Sequence, residues 1–236
     1  MKWKVELIGD NFDLEDLLEW FDGSEIKIAK EGDKYFLKSN SFELLNNSSE
    51  IRRSALHLVT LINGMCRLKR NNFQSIKVGA VLEKTESGKE NIYKFIEEKV
   101  IIRDKVKGIV TDKNGNVVKD ESEYPLDDVI VLSSADEHVE RVLRFISDNN
   151  ITWNDMYRVL EVIEEDINNP LHKVSWLDKP TRELFKRTAN SYSSIGLEAR
   201  HGHKKHLPPE TPMEYKRAKE IIFKVAYKWI SNKLGK

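Results

Sequence analysis

Apolar residues follow two different periods along this chain, and the change comes at Ser133-Ser134. At the start, Trp3, Val5 and Leu7 alternate with Lys4 and Glu6, the period-2 pattern of a half-buried strand that stops at Gly9-Asp10. Leu14, Leu17, Leu18 and Phe21 then recur at helical spacing and are closed by Asp22-Gly23. Positions 25–30 and 34–39 read as a hairpin about Glu31-Gly32-Asp33. A longer helix, capped by Ser48 or Ser49 and running to about Arg70, would bury Ile51, Ala55, Leu58, Val59, Ile62 and Cys66. Over 75–132 strand signals dominate. Ile76, Val78, Ala80 and Leu82 alternate, Ser87-Gly88 and Asn114-Gly115 mark turns, and 129–132 is a short apolar run. An antiparallel sheet is expected here, with Lys77, Glu83, Lys84, Lys105 and Lys107 turning one side to water.

Beyond Ser134 the pattern is helical throughout. Ser134 and Glu137 have the spacing of a capping box, opening a helix that buries Val139, Val142, Leu143 and Ile146. Thr152 caps the next helix, whose core stripe is Met156, Leu160, Ile163 and Ile167 and which Asn169-Pro170 ends. Pro180 sits in the first turn of a helix to about Ala189. Thr211-Pro212-Met213-Glu214 combines an N-cap, proline at the first helical position and glutamate at the third. The last helix then carries Ala218, Ile221, Ile222, Val225, Ala226, Trp229 and Ile230 on one stripe. The expected fold is α+β: a mostly antiparallel N-terminal sheet with two helices over 1–132, then a bundle of about four helices over 133–236. There is no internal repeat and no low-complexity linker.

Composition adds bounds. The 236 residues are 39% hydrophobic and 33% charged, enough apolar material for a core and too much for disorder. The 39 basic and 39 acidic residues cancel, so total charge argues for neither nucleic acid nor membrane. Their distribution says more. Residues 1–50 hold six basic and twelve acidic groups, a balance of −6, whereas 200–236 hold ten basic and three acidic, a balance of +7. That basic end is either a surface for an anionic ligand or a solvated helix face. The single cysteine, Cys66, excludes an intrachain disulfide and reads as a buried thiol. No long apolar run occurs and the chain enters a strand at once, so neither signal peptide nor membrane span is expected, and the expected compartment is the cytoplasm.

Candidate chemistry concentrates at Arg200-His201-Gly202-His203-Lys204-Lys205-His206, which holds three of the six histidines. His201, His203 and His206 have the spacing of the metallo-β-lactamase signature, but Lys205 stands where that signature places aspartate and no histidine follows. Like charge on Arg200, Lys204 and Lys205 also disfavours a cation, so no metal and no cofactor is expected. Acid–base work on a phosphodiester suits the residues better. Imidazoles at His201 and His206 can move protons near neutral pH, and the Arg200 guanidinium can stabilise phosphate charge. His203, Lys204 and Lys205, with Asn190 and Tyr157, are the candidate substrate contacts. The plainer alternative is a solvated basic loop. The serine-rich stretch from Asn190 to Gly196 reads as a flexible approach, while Pro208-Pro209 and Pro212 stiffen the exit. Trp153, Tyr157, Glu161 and Glu164 form a second stripe beside the core face, able to line a pocket, to pair with Arg200, or simply to pack as a shoulder. No Walker loop, GxGxxG, GxSxG, HExxH or CxxC occurs, which removes the usual support for the common nucleotide-binding and hydrolase classes.

Two resemblances rest on these residues. Thr188-Ala189-Asn190, Gly196, Ala199-Arg200-His201-Gly202, Pro208-Pro209, Pro212-Met213, Ala218 and Trp229, with Trp153, Asp155, Tyr157 and Glu161 upstream, resemble the C-terminal signature of a widespread family of uncharacterised bacterial proteins. That likeness covers roughly 150–230 and implies no activity. An arginine followed by four to six residues and a histidine in a helical region also resembles the HEPN ribonucleases of abortive infection and toxin systems, and Arg200 to His206 fits the spacing. This second resemblance implies a metal-independent, RNA-directed nuclease or effector in bacterial stress or phage defence, its Arg and His acting across a homodimer. The rival expectation is a non-catalytic interaction or scaffold protein whose β-rich N-terminal region binds a protein partner.

Overall fold

A computed structural model of the chain describes residues 2–85, 87–95, 125–201 and 207–235. The chain divides into two compact units, one made of 1–59 and 76–128, the other of 60–75 and 129–235, with Lys236 assigned to the first. The sheet lies N-terminal and the helices C-terminal, as the α+β reading requires.

In the first unit β1 (Trp3–Ile8), β2 (Ile26–Glu31), β3 (Lys34–Ser39), β4 (Lys77–Lys84) and β5 (Glu90–Tyr93) pair antiparallel in the order β2-β3-β1-β4-β5. Alternation in β1 does what its pattern demands: Trp3, Val5 and Leu7 are buried, and Val5 lies opposite Leu37 on one side and Val81 on the other. The β1–β4 register slips between Val5 and Leu7, a bulge at the centre of the sheet. The opposite face is not purely polar as expected. Phe36, Ala80 and Leu82 form a buried cluster there, and the Lys4 ammonium lies 4.6 Å from the Phe36 ring centre, within reach of Glu31 and Glu90. The helix α1 (Asn11–Trp20) is capped by Asp10, whose carboxylate accepts from the Phe12 amide. It buries Leu14 and Leu17. Gly88, with φ of 80°, makes the turn from β4 to β5 anticipated at Ser87-Gly88. Asn114-Gly115, Lys105 and Lys107 lie outside the described residues.

The second unit is helical: the end of α2 (Ser48–Lys69), most of α3 (Leu126–Ala135), then α4 (Glu137–Ile146), α5 (Trp153–Asp166), α6 (Lys179–Asn190), the single turn α7 (Tyr192–Ile195) and α8 (Tyr215–Lys233). α5 is its axis. A reciprocal capping box between Thr152 and Asp155 starts it, and Trp153, Met156, Tyr157, Val159, Leu160, Val162 and Ile163 are all buried, which leaves one narrower face, with Arg158, Glu161 and Glu165, to solvent. Each such side chain contributes about 1.5–3 kcal/mol by leaving water. The end of α2 passes α4 at very close range: a Cβ on Gly64 would stand 2.3 Å from the Leu143 carbonyl oxygen. Next to that crossing Arg67 is buried and donates to the Asn149 side chain at 2.5 Å and to the Phe73 carbonyl at 3.2 Å; burial pushes its pKa down. Cys66 is a buried thiol, as its setting implied.

Several local expectations need correcting. Positions 129–132 are helix, not strand: Leu126, Val129, Ile130 and Ser133 recur at helical spacing and are buried, while Val131 is exposed. The cap of α4 is Asp136, accepting from the His138 and Val139 amides, because Ser133 and Ser134 turn their hydroxyls back to the Ile130 carbonyl. α8 starts at Tyr215 instead of at Pro212, since the Met213 amide is committed to a tertiary bond with Thr188. The expected division at 132/133 falls four residues after the observed switch, and 60–75 belong with the C-terminal unit.

Candidate functional site

The frame of the site is the last turn of α6. Asp178 caps the start of this helix, Pro180 follows in its first turn, and it ends where the Ser191 amide bonds back to the Thr188 carbonyl. Three successive residues of that final turn hold the chain on either side of the 202–206 stretch. Ala189 accepts from the Arg200 amide at 3.0 Å, Arg187 donates to the Pro208 carbonyl at 3.2 Å, and the Thr188 hydroxyl accepts from the Met213 amide at 3.0 Å. The Thr188 hydroxyl also donates to the Leu184 carbonyl, which fixes its orientation. Both flanks of the histidine segment are thus fastened to one helical turn. The path from α6 to Arg200 needs a reversal at Gly196, where φ is 62° and ψ −133°, a conformation that side chains strongly disfavour.

Arg200 emerges from this frame with its side chain 35% exposed. Its guanidinium carbon lies 4.5 Å from the centre of the Tyr157 ring, and Nη2 meets the Glu161 carboxylate at 3.0 Å. Tyr157 and Glu161 are one helical turn apart on α5, so a single face of that helix makes both contacts with the guanidinium. Tyr157 is in turn fixed by stacking on Phe185 at 6.2 Å and by the Asn190 amide, which donates to its hydroxyl at 3.4 Å. Lys186 brings a second cation to 5.8 Å from the same ring. Among the described residues Glu161 is the one carboxylate on Arg200, leaving most of the five guanidinium donors for an oxyanion.

In the segment leading to this arginine, Asn190 Oδ1, Ser191 Oγ and Ser194 Oγ are buried without a hydrogen-bond partner among the described residues, three within five residues. One turn further along α5, Glu164 completes the α5–α6 contact. Burial opposes its charge, but Nε and Nη2 of Arg182 reach its two oxygens at 2.6 and 2.7 Å and the Leu171 amide adds a third bond. The carboxyl is therefore held below its ordinary range, and bonding to Glu164 raises Arg182 above its own.

Of the residues singled out by sequence, the structure brings Arg200, Tyr157 and Asn190 together, although Tyr157 is buried and presents its ring to Arg200 and not to solvent. His201 follows Arg200 and is half-buried. His203, Lys204, Lys205 and His206 lie outside the described residues. Of the roles open to the second α5 stripe, Glu161 takes the pairing with Arg200, while Trp153 packs against Phe185 at 5.9 Å. Sequence reasoning missed Lys186, Arg187, Ser191 and Ser194; the Thr188-Ala189-Asn190 run was the available signal, each of its members holding one part of the site.

Elsewhere in the unit, Asp136, His138 and Asp166 place possible ligand atoms within 4.8 Å of one another. The Lys233 ammonium already lies 2.7 Å from Asp136 and 2.8 Å from Asp166, and Asp136 is spent on capping α4, so this cluster carries its own cation and ties three helix ends. No described helix is long and apolar enough to cross a membrane. No family model, curated protein or solved structure matches the chain.

Proposed function

We propose that the protein is an RNA-directed, metal-independent nuclease or effector of the HEPN-like kind, with Arg200 as its phosphate-binding group. The observation that carries this reading is the setting of Arg200: partly exposed, 4.5 Å from the Tyr157 ring centre, and paired with Glu161 next to His201. A guanidinium pre-set in this way spends little entropy on gripping a phosphodiester and is well suited to charge that develops during cleavage. His201 and His206 are the acid–base candidates: one imidazole takes the proton from a ribose 2′-hydroxyl as it attacks phosphorus, the other protonates the departing 5′-oxygen. His203, Lys204, Lys205 and Lys186 add positive charge along the RNA backbone. Cytoplasmic action, stress or phage defence, and a homodimer belong to the same proposal.

Cleavage of labelled total RNA in excess EDTA tests it. The parent protein should cut, and Arg200→Ala should lose about two to three orders of magnitude in rate. Arg200→Lys should not restore the rate, since a point charge does not reproduce a fork. His206→Ala should lose activity with its fold intact by circular dichroism. Cleavage that survives both alanine changes, or no cleavage by the parent, rejects the reading. A second reading, a non-catalytic interaction protein, is favoured by one observation: Leu197 and Leu207, on either side of the histidine segment, are 92% and 77% exposed. An inactive parent that forms a complex lost on Leu197→Ser would support it.

A further inference from the structure

The helical unit also contains a cavity of about 570 Å³, between the loop joining α5 to α6 and one face of α8, that shares no lining residue with the Arg200 site. We propose that it binds a nucleoside monophosphate, or a ligand of the same chemistry: one planar aromatic ring and one phosphate. The volume falls within the roughly 300–1,000 Å³ of small-molecule sites. Its walls divide the chemistry. Arg217 and Lys224 project from α8 two turns apart, with Ile221 between them on the same face. Both are exposed, and among the described residues neither has a carboxylate within ion-pair distance. Asp178 is the acidic group on the lining, and its carboxylate is occupied in accepting from the Thr181 amide at 2.9 Å. Two cations against one engaged carboxylate leave a positive mouth, fit for a phosphate.

The loop wall offers the ring surface. Trp176 lines the cavity, half-buried, so its indole has a solid backing and an accessible portion. One feature of this loop has no structural purpose in sight. His172, also on the lining, has a buried Nδ1 with no hydrogen-bond partner among the described residues. Ser175, at φ of 57°, is the left-handed residue of the turn that the bond from the Trp176 amide to the Leu171 carbonyl closes. The loop is not slack: the buried Leu171 accepts from the Trp176 amide, and its own amide is bound to Glu164. A tightly held loop with an aromatic ring beside an open cavity, facing two unpaired cations on α8, is the pattern of a preformed ligand site. Trp176 supplies the stacking surface, and Arg217 with Lys224 the phosphate grip.

This inference stands apart from the reading of Arg200, and its test keeps the two separate. Titration calorimetry on the full chain would use AMP, GMP, CMP and UMP, with the matching nucleosides and inorganic phosphate as controls. At least one monophosphate should bind below about 1 mM, and about tenfold or more tighter than its nucleoside or phosphate alone. Arg217→Ala and Lys224→Ala, exposed changes that should leave the fold intact, should each weaken it about tenfold, as should Trp176→Ala if its melting curve is normal. Arg200→Ala should bind unchanged. No heat from any monophosphate overturns the proposal, as does binding indifferent to Arg217 and Lys224, binding lost with Arg200→Ala, or phosphate binding as tightly as the nucleotides.

Discussion

Glu164 shows how a single carboxylate ties the stability of the helical unit to pH. Burial alone would raise its pKa, yet two bonds from Arg182 and one from the Leu171 amide win, and the group stays charged in the fold. A carboxyl with a depressed folded pKa gives stability that is fully present above its unfolded value, near pH 4.3, and drains away as pH falls through the folded value. Glu164→Gln should therefore cost about 2 kcal/mol in urea unfolding at neutral pH, because Arg182, which keeps Glu183, loses the other of its two carboxylates while remaining buried. The gap between parent and variant should close as pH is lowered from about 5 towards 3. A gap that is constant over that range would mean that the pair adds nothing by its charge.

At the scale of elements, the crossing of α2 and α4 reverses an ordinary rule. An alanine in place of a helical glycine usually gains about 1 kcal/mol. At Gly64 the added methyl would press on the Leu143 carbonyl at 2.3 Å, backbone that cannot swing aside. Gly64→Ala should destabilise by about 2 kcal/mol, read as a lower urea midpoint with unchanged slope. Elements of this kind explain what the chain discloses in advance and what it does not. Alternation at Trp3, Val5 and Leu7 and the period at Val139, Val142, Leu143 and Ile146 announced their elements, because one face alone is buried. The run at 129–132 misled, since four apolar residues fit either period and only Leu126 and Ser133 outside the run decide it. Start signals at Ser134 and Thr211 misled for another reason: the serine hydroxyl was drawn to a nearer carbonyl, and the Met213 amide to a distant hydroxyl. Arg200 was legible from local crowding of charge. Its pairing with Glu161 was among the roles open to the α5 stripe, but its backbone frame was not legible, because the clamps on Ala189 and Pro208 use backbone groups that every residue possesses.

At the scale of the whole chain, the second unit needs residues that come 70 positions before most of it. A fragment of 129–236 lacks Gly64 and Arg67, so Leu143 loses the backbone packed on it and Asn149 its buried donor. That fragment should bind a hydrophobic dye and melt without a sharp transition, whereas 60–236 should unfold cooperatively; equal melting of the two would show that 60–75 are dispensable. A fold assembled from separated stretches nonetheless keeps one part modular. Arg187, Thr188 and Ala189 fasten the chain before and after the histidine segment at a single address. Loop-closure entropy grows slowly with length, so once both ends are docked, the intervening stretch can change in length or sequence at small thermodynamic expense. The helix end works like a socket, and evolution or an engineer can exchange the cassette plugged into it without redesigning the wall behind.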